Sequence, residues 1–219
     1  MPQLSFFGDP PARTPRGFRR MIVTVSGLHG TGKSTYAAQL AKSLRLRHVS
    51  AGQLFRRIAR ERHVTLEDFG KTAFDDPSID RLIDEETMKE AEKGSVVIDG
   101  QLAGWVLKEK SDLRIYLTAP DGVRLLRIAK RDGLGLEEAK RQTVQRERIQ
   151  IERYRRHYGL NVEDKSIYHL VLDTSILPLE DTGKILLMTA RVRAKVMNVD
   201  QASLKLGASR PTRARKRRH

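Results

Sequence analysis

The sequence contains no cysteine, so it can form neither a disulfide framework nor a thiolate metal site, and it has no cysteine nucleophile or thiol redox switch. Any catalysis must therefore use oxygen and nitrogen groups. Long apolar runs are also missing: none approaches the roughly 18 residues that a membrane-spanning helix needs. No early segment combines a charged start with an apolar stretch, as a secretory signal does. We therefore expect a soluble, cytoplasmic protein with one α/β domain, which 219 residues are sufficient to build.

Positive charge is in excess, but it is concentrated at the two ends of the chain. The net charge is +15, with four arginines against one Asp in residues 1–20 and ten Lys or Arg against one Asp in residues 191–219. A nearly balanced centre is typical of an enzyme with basic tails. Residues 1–20 are rich in Pro and Gly, and residues 198–219 are polar and basic, so we predict that both are disordered. The folded domain is then predicted to be residues 21–197.

Short apolar runs alternate with amphipathic segments along this central body. Strands are predicted at 21–26, 46–49, 95–99, 113–118 and 168–173. The Arg-rich segment 136–158 is flanked by glycines and is interpreted as one or two helices that form a mobile flap. A closing helix is predicted over 182–197. Strands that alternate with helices imply right-handed crossovers, so the expected fold is a three-layer α/β/α P-loop domain with a roughly five-stranded parallel sheet and a helical lid.

The strongest motif is a glycine, four further residues and then Gly-Lys-Ser, at Gly27 to Ser34. A predicted buried strand precedes it and an amphipathic helix follows it, which is the arrangement of a phosphate-binding loop; a tight glycine turn without a ligand rarely has both. The glycines let backbone N–H groups converge on one point, and the helix N-terminus favours an anion. We expect Lys33 to reach the β- and γ-phosphates of ATP or GTP, and Ser34 to bind Mg²⁺. The predicted nucleotide-binding residues are Gly27, Leu28, His29, Gly30, Thr31, Gly32, Lys33, Ser34 and Thr35.

A carboxylate ends the predicted strand 95–99. Because the carboxyl ends of parallel strands line the ligand crevice of an open sheet, Asp99 is expected to hold Mg²⁺ through water. The alternative is a structural Asp that caps a turn, since Asp-Gly is an ordinary turn pair.

Nine arginines lie between Arg124 and Arg156. Taken singly, each is interpreted as a solvent-facing side chain. Arginines at so many positions of a helix point in different directions, so they cannot all contact one ligand. As a set they suit phosphoryl transfer, in which catalysis depends on positioning and on the stabilisation of negative charge by Arg, Lys and Mg²⁺. Closure of such a flap would also exclude water.

Three segments, Gly27 to Thr35, Val49 to Arg56 and Val97 to Gly100, together resemble the nucleoside monophosphate kinases. The similarity is greatest to the archaeal type of cytidylate kinase and covers about residues 21–190. Smaller motifs support it, namely Leu102-Ala103-Gly104-Trp105, Arg146-Glu147, Arg153-Tyr154, Tyr158-Gly159 and Tyr168 to Ser175.

The resemblance implies that the γ-phosphoryl group of ATP is transferred to CMP or dCMP with Mg²⁺. It places acceptor binding in about residues 50–93 and the lid in about residues 132–160. By position, it implies that the acceptor nucleotide is bound by Ser50, Gly52, Arg56 and Asp173, and that catalysis uses Lys33, Arg127, Arg131, Arg146 and Arg153. One departure is Gln101, which stands where the family pattern leads us to expect Arg after Asp99-Gly100.

Two other functions stay open from the sequence. One is an adenylate or other nucleoside monophosphate kinase, which turnover of CMP, UMP and AMP would distinguish. The other is an RNA- or ribosome-associated P-loop NTPase that uses the basic tail, for which RNA binding should fall steeply with salt. We expect a monomer that binds small nucleotides and no membrane, with weak nucleic-acid contact through the tail as a further expectation.

Overall fold

The computed structural model describes residues 20–208, with side chains for 20–198. The strands are β1 (Ile22–Gly27), β2 (Arg47–Ser50), β3 (Val96–Asp99), β4 (Leu113–Thr118) and β5 (Leu170–Asp173). The helices are α1 (Lys33–Leu44), α2 (Ala51–Glu61), α3 (Leu66–Asp75), α4 (Pro77–Glu92), α5 (Ala103–Val106), α6 (Asp121–Asp132), α7 (Leu136–Tyr158) and α8 (Leu179–Ala208). All five predicted strands are confirmed to within two residues at each end.

The strands form one parallel sheet in the order β2-β3-β1-β4-β5. Successive side chains point to opposite faces of a strand, so each strand contributes to both layers. Val97 packs with α1 and α8 on one face, whereas Val96 and Ile98 pack with the helices of the other face. The predicted three-layer α/β/α fold is confirmed. Because the strand order reverses at β1, the crevice at its carboxyl end is the expected ligand site.

Helices α2, α3 and α4 have a small apolar core of their own, centred on Phe55 and Phe69, whose ring centroids are 4.7 Å apart. Helix α3 is absent from the sequence interpretation, although Thr65 caps it by accepting a hydrogen bond from the Asp68 backbone N–H. Helix α4 begins with a local start signal, since Asp76 caps it by accepting from the Ser78 backbone N–H and Pro77 occupies its first turn.

The closing helix is longer than predicted, because α8 runs from Leu179 to Ala208 rather than over 182–197. The first part of the segment that was expected to be disordered, residues 198–208, is therefore helical. Its Gln, Ala, Leu and Lys residues favour helix, and the next proline is Pro211. The expectations for 1–19 and 209–219 lie outside the described residues. Across the part of the chain that the structure covers, we find no helix with the length and apolarity to cross a membrane.

Candidate active site

A cavity of about 1150 Å³ opens at the carboxyl edge of the sheet. Its walls come from the loop after β1, from α2, α3 and α4, and from α6 and α7. Sites for one drug-sized ligand usually measure about 300–1,000 Å³. The cavity therefore has room for two ligands side by side.

The loop between β1 and α1 has the backbone of a phosphate cradle. Gly27 and Gly30 have φ values of 142° and 77°, and a Cβ on Gly30 would lie 2.5 Å from the Arg124 carbonyl oxygen. Only glycine fits there without strain. Lys33 Nζ donates to the Leu28 carbonyl oxygen over 2.8 Å. Burial lowers the pKa of Lys33 to about 8, against the opposing effect of Asp99, so a phosphate would supply the counter-charge that this buried amine needs.

Asp99 joins the loop to the start of α2. Its Oδ2 accepts from Ser34 Oγ over 2.8 Å and from Ser50 Oγ over 3.2 Å, and its Oδ1 lies 2.7 Å from His48 Nε2. The structure thus brings together Ser34 and Asp99, the predicted metal-binding pair. His48 is an additional partner that the sequence does not single out.

This oxygen donor set fits Mg²⁺, which is usually held by one or two protein oxygens together with waters and phosphates. A cage of three or more His, Asp or Glu side chains is absent from residues 20–198. Ser34 and Asp99 would therefore hold the ion together with nucleotide phosphates.

Two guanidinium groups face the cavity without partners. Arg56 on α2 and Arg146 on α7 line it, and neither forms a hydrogen bond or ion pair with a described residue. Burial, followed by the nearby charge of Arg56, lowers the pKa of Arg146, and Arg131 adds to this effect. Like charges that converge in a buried place require an anion to neutralise them. Arg56, Arg131 and Arg146 are therefore candidates for a second anion site in the cavity.

The other predicted lid arginines have protein partners. Arg127 donates through Nη1 to Thr174 Oγ1 and through Nη2 to the Thr174 carbonyl oxygen, both over 2.8 Å. Arg131 forms a two-point ion pair with the carboxylate of Asp132. Both side chains line the cavity. Arg127 links α6 to the end of β5, while Arg131 lies beside Arg146.

Arg153 lies apart from the other predicted lid arginines. It is 1% exposed, and its Nε lies 3.2 Å from Asp80 Oδ2. The guanidinium carbon lies 5.5 Å from the centroid of Phe55 and 5.1 Å from that of Tyr154. Arg153 lies two helical turns from Arg146 and lines the cavity beside Asp80 and Phe55.

The interpretation of the arginines as solvent-facing is wrong for Arg124 as well. This side chain is 4% exposed and donates through Nη1 to Glu147 Oε1 and to the His29 carbonyl oxygen, both over 2.7 Å. Glu147 Oε1 also accepts from the His29 backbone N–H. His29 Nε2 lies 2.8 Å from Gln150 Oε1. Helix α7 is thus hydrogen-bonded directly to the phosphate loop, a connection that no local sequence pattern reveals.

Asp173 does not lie with the other residues that are predicted to bind the acceptor. It ends β5, at one edge of the sheet, whereas Ser50 ends β2 at the other edge. Its Oδ1 accepts from the backbone N–H and the Oγ of Ser175. The prediction that Asp173 contacts the acceptor base is therefore not supported by this geometry. Gly52, in contrast, lines the cavity beside Arg56.

The surroundings of Asp84 on α4 disfavour the ionised form of its carboxyl group. Burial, followed by repulsion from Asp80, raises the pKa of Asp84 to about 6, against the opposing effects of the Tyr158 hydroxyl and of Arg153. Because the folded protein binds this proton more tightly than the unfolded chain, the contribution of Asp84 to stability falls as the pH rises from about 4 to about 6.

We expect Asp84→Asn to be more stable than the parent at pH 8 by about 1 kcal/mol. This is less than the free energy that corresponds to the whole pKa shift, because the carboxylate is partly open to solvent. The gain should vanish at about pH 4, where the parent carboxyl is also neutral. Urea denaturation at the two pH values measures this difference. A variant that is equally stable, or less stable, at pH 8 would contradict the expectation.

Two solved structures share this fold although their sequences differ widely from this chain. The shikimate kinase of Acinetobacter baumannii, solved in complex with shikimate, superposes with a TM-score of 0.51 at 17% identity, over 80% of this chain and 96% of that chain. An uncharacterized protein from Eubacterium ventriosum gives a TM-score of 0.57 at 16% identity, over 77% and 97%. Identities this low show the fold alone.

Sequence relatives are more specific. Residues 22–176 match the model of the Cytidylate kinase-like family. The cytidylate kinase of Aeropyrum pernix is 46% identical over 169 residues, which are 77% of this chain and 98% of that protein. The cytidylate kinase of Staphylothermus marinus is 43% identical over 166 residues, which are 76% of this chain and 94% of that protein. The predicted family is confirmed, and the chain belongs to the cytidylate kinase-like family.

Proposed function

We propose that the protein is a cytidylate kinase that transfers the γ-phosphoryl group of ATP to CMP or dCMP, giving ADP and CDP or dCDP. One observation carries the proposal: a single cavity is lined by two separate cationic groups, Lys33 in the phosphate loop and the unpartnered guanidinium pair Arg56 and Arg146, each of which suits a phosphate. A reaction between two nucleotides needs such a pair of sites, whereas an NTPase that uses water needs only one.

Each group has a distinct role in this proposal. The N–H groups of Gly27 to Thr35 and the Lys33 ammonium hold the β- and γ-phosphates of ATP. Arg56 grips the acceptor phosphate, and Arg146 with Arg131 stabilises the charge that spreads over the transferred group. Ser34 and Asp99 would hold Mg²⁺, which when bound neutralises charge between the phosphate oxygens.

Two helical regions complete the proposed cycle. Residues 50–93, with the separate core of α2, α3 and α4, form the acceptor-binding region. Residues 132–160 form the lid, which the Glu147 contacts tie to the phosphate loop. Closure of both would exclude water, which would otherwise compete with the acceptor for the phosphoryl group.

A panel of acceptors tests the function. In an ADP-release assay with Mg²⁺ and ATP, we expect kcat/KM for CMP or dCMP to exceed that for UMP and AMP by roughly tenfold or more. ATP alone should give almost no ADP because the lid excludes water. Equal rates with and without an acceptor would contradict the kinase function and favour an NTPase.

The proposal extends to the assembly state and to nucleic-acid contact through the basic C-terminal segment. We propose a monomer, which sedimentation would test. Nucleic-acid contact through the basic residues after Ala208 would give an affinity for RNA that falls steeply with salt and is lost when the chain ends at Ala208.

A further inference from the structure

The wall of the cavity that α4 and α7 form contains an unused carboxylate oxygen. Asp84 lines the cavity and is half-buried. Its Oδ2 accepts a hydrogen bond from the Tyr158 hydroxyl, whereas Oδ1 has no partner among the described residues. The charge of the neighbouring Asp80 is already paired, since its Oδ2 hydrogen-bonds with His157 Nδ1 over 3.1 Å and forms an ion pair with Arg153, whose Nε lies 3.2 Å away. Asp84 forms no ion pair with a described residue, so it is the carboxylate of this wall whose charge is not already paired with a basic side chain.

The same wall contains donors without acceptors. Arg153 is buried and lines the cavity, yet its Nε and Nη1 make no hydrogen bond with the described residues. The Nε–Asp80 distance is short, but the N–H direction does not fit a hydrogen bond. Only Nη2 has a partner, the Tyr154 hydroxyl at 3.4 Å. Buried donors are almost always satisfied, so unsatisfied ones in a ligand cavity indicate that a ligand supplies the acceptor.

The position of this pair matches the base end of an acceptor nucleotide. Arg153 lies seven residues after Arg146 on α7, which is about 10 Å along the helix axis on the same face. Phe55, whose ring packs against Arg153, directly precedes Arg56. A nucleoside monophosphate with its phosphate at Arg56 and Arg146 can therefore extend its base to Asp84 and Arg153.

We propose that Asp84 and Arg153 read the base of the acceptor nucleotide: Asp84 Oδ1 accepts a hydrogen bond from the 4-amino group of cytosine, and Arg153 Nη1 donates to ring N3. The inference rests on the proposed function and assigns its base specificity to two residues. Neither Asp84 nor a base-reading role for Arg153 follows from the sequence motifs, since the resemblance implies a catalytic role for Arg153.

The chemistry of the bases makes this pair selective. Cytosine presents a donor at position 4 and an acceptor at N3, whereas uracil presents an acceptor at O4 and a donor at N3. Uracil would place O4 against the Asp84 carboxylate and N3–H against a guanidinium, so both contacts would be repulsive. Adenine carries an amino group beside a ring acceptor, so the pair distinguishes amino bases from oxo bases, while the size of the pocket must separate pyrimidines from purines.

An isosteric substitution tests the carboxylate. Asp84→Asn keeps an acceptor for the Tyr158 hydroxyl and turns a donor toward the cavity. We expect kcat/KM for CMP to fall at least roughly 100-fold, and the ratio of kcat/KM for CMP to that for UMP to fall by more, because O4 of uracil gains a donor. Glu85→Gln, the same change at the adjacent exposed position of α4, should leave both values within about threefold of the parent. The dissociation constant of ATP should be unchanged in both variants.

Substrate analogues test the same contacts without relying on a variant that folds. The parent enzyme should discriminate at least roughly 100-fold against the pyrimidin-2-one ribonucleoside monophosphate, which lacks the 4-amino group, and against 3-deaza-CMP, which lacks the N3 acceptor. Asp84→Asn should lose the discrimination against the first analogue and keep it against the second. Comparing parent and variant with substrates that have or lack the 4-amino group isolates the contact of Asp84 with that group.

The outcomes separate the inference from the function. If the parent phosphorylates CMP but Asp84→Asn retains the preference of the parent for CMP over UMP, or the parent accepts both analogues as well as CMP, the inference is overturned and the kinase function stands. If the parent phosphorylates no cytidine nucleotide, both are overturned.

Discussion

Lys33→Ala should lower kcat for CMP phosphorylation at least roughly 1,000-fold. The ammonium of Lys33 is buried at the centre of the phosphate loop, and among the described residues its only hydrogen-bond acceptor is the Leu28 carbonyl oxygen. In the absence of phosphate, burial disfavours its charge, so the charge is fully compensated only when the β- and γ-phosphates arrive. The interaction therefore strengthens as negative charge develops in the transition state.

The protein without nucleotide should not be destabilised by this substitution, because it removes a buried amine rather than a salt bridge. The increase in Tm that Mg-ATP gives to the parent should disappear in Lys33→Ala. Lys42→Ala, on the exposed side of the same helix α1, is the matched control and should behave as the parent. A Lys33→Ala protein that keeps a tenth or more of the parent kcat would contradict the assignment of the phosphate loop.

Arg146→Ala should lower kcat roughly 1,000-fold, in the range that a transition-state arginine contributes in phosphoryl transfer. The guanidinium of Arg146 has no partner among the described residues and lies close enough to Arg56 and Arg131 for their charges to lower its pKa. Because Arg146 lies beside other arginines, its interaction with a negatively charged phosphoryl group between them is strongly favourable. The dissociation constant of ATP should change less than about fivefold, since the phosphate loop is intact.

Stability separates this catalytic role from a structural one. Removing a repelled charge should leave the Tm of Arg146→Ala equal to or above that of the parent. Arg148→Ala, on the exposed side of the same helix α7, is the control and should retain parental kcat. Single-turnover kinetics and thermal melts measure both quantities. A loss of kcat below tenfold, or a loss that parallels a fall in Tm, would contradict the proposed role.

Sequence alone determined the features that are encoded by contiguous residues. The phosphate loop needs glycines at fixed places between a strand and a helix, and all its requirements lie within Gly27 to Thr35. The five strands could be predicted because a strand buried on both faces of a parallel sheet is apolar throughout. Asp99 could be placed in the site because it ends such a strand. Helix α3 was missed although Thr65 offers a local cap, because the helix is short and its buried face is defined by the packing of Phe69 on Phe55.

Only the tertiary structure decided which of the many charged residues lie inside. Arg124 and Arg153 sit on helices of high overall charge, where local patterns cannot tell a solvated arginine from one buried against a distant carboxylate. Asp84 is separated from Arg153 by 69 positions in the chain and meets it only where α4 packs near α7. Burial and charge pairing depend on contacts between distant segments. The sequence therefore predicts the phosphate loop, because its residues are contiguous, and the packing of the helices decides which charged side chains line the cavity.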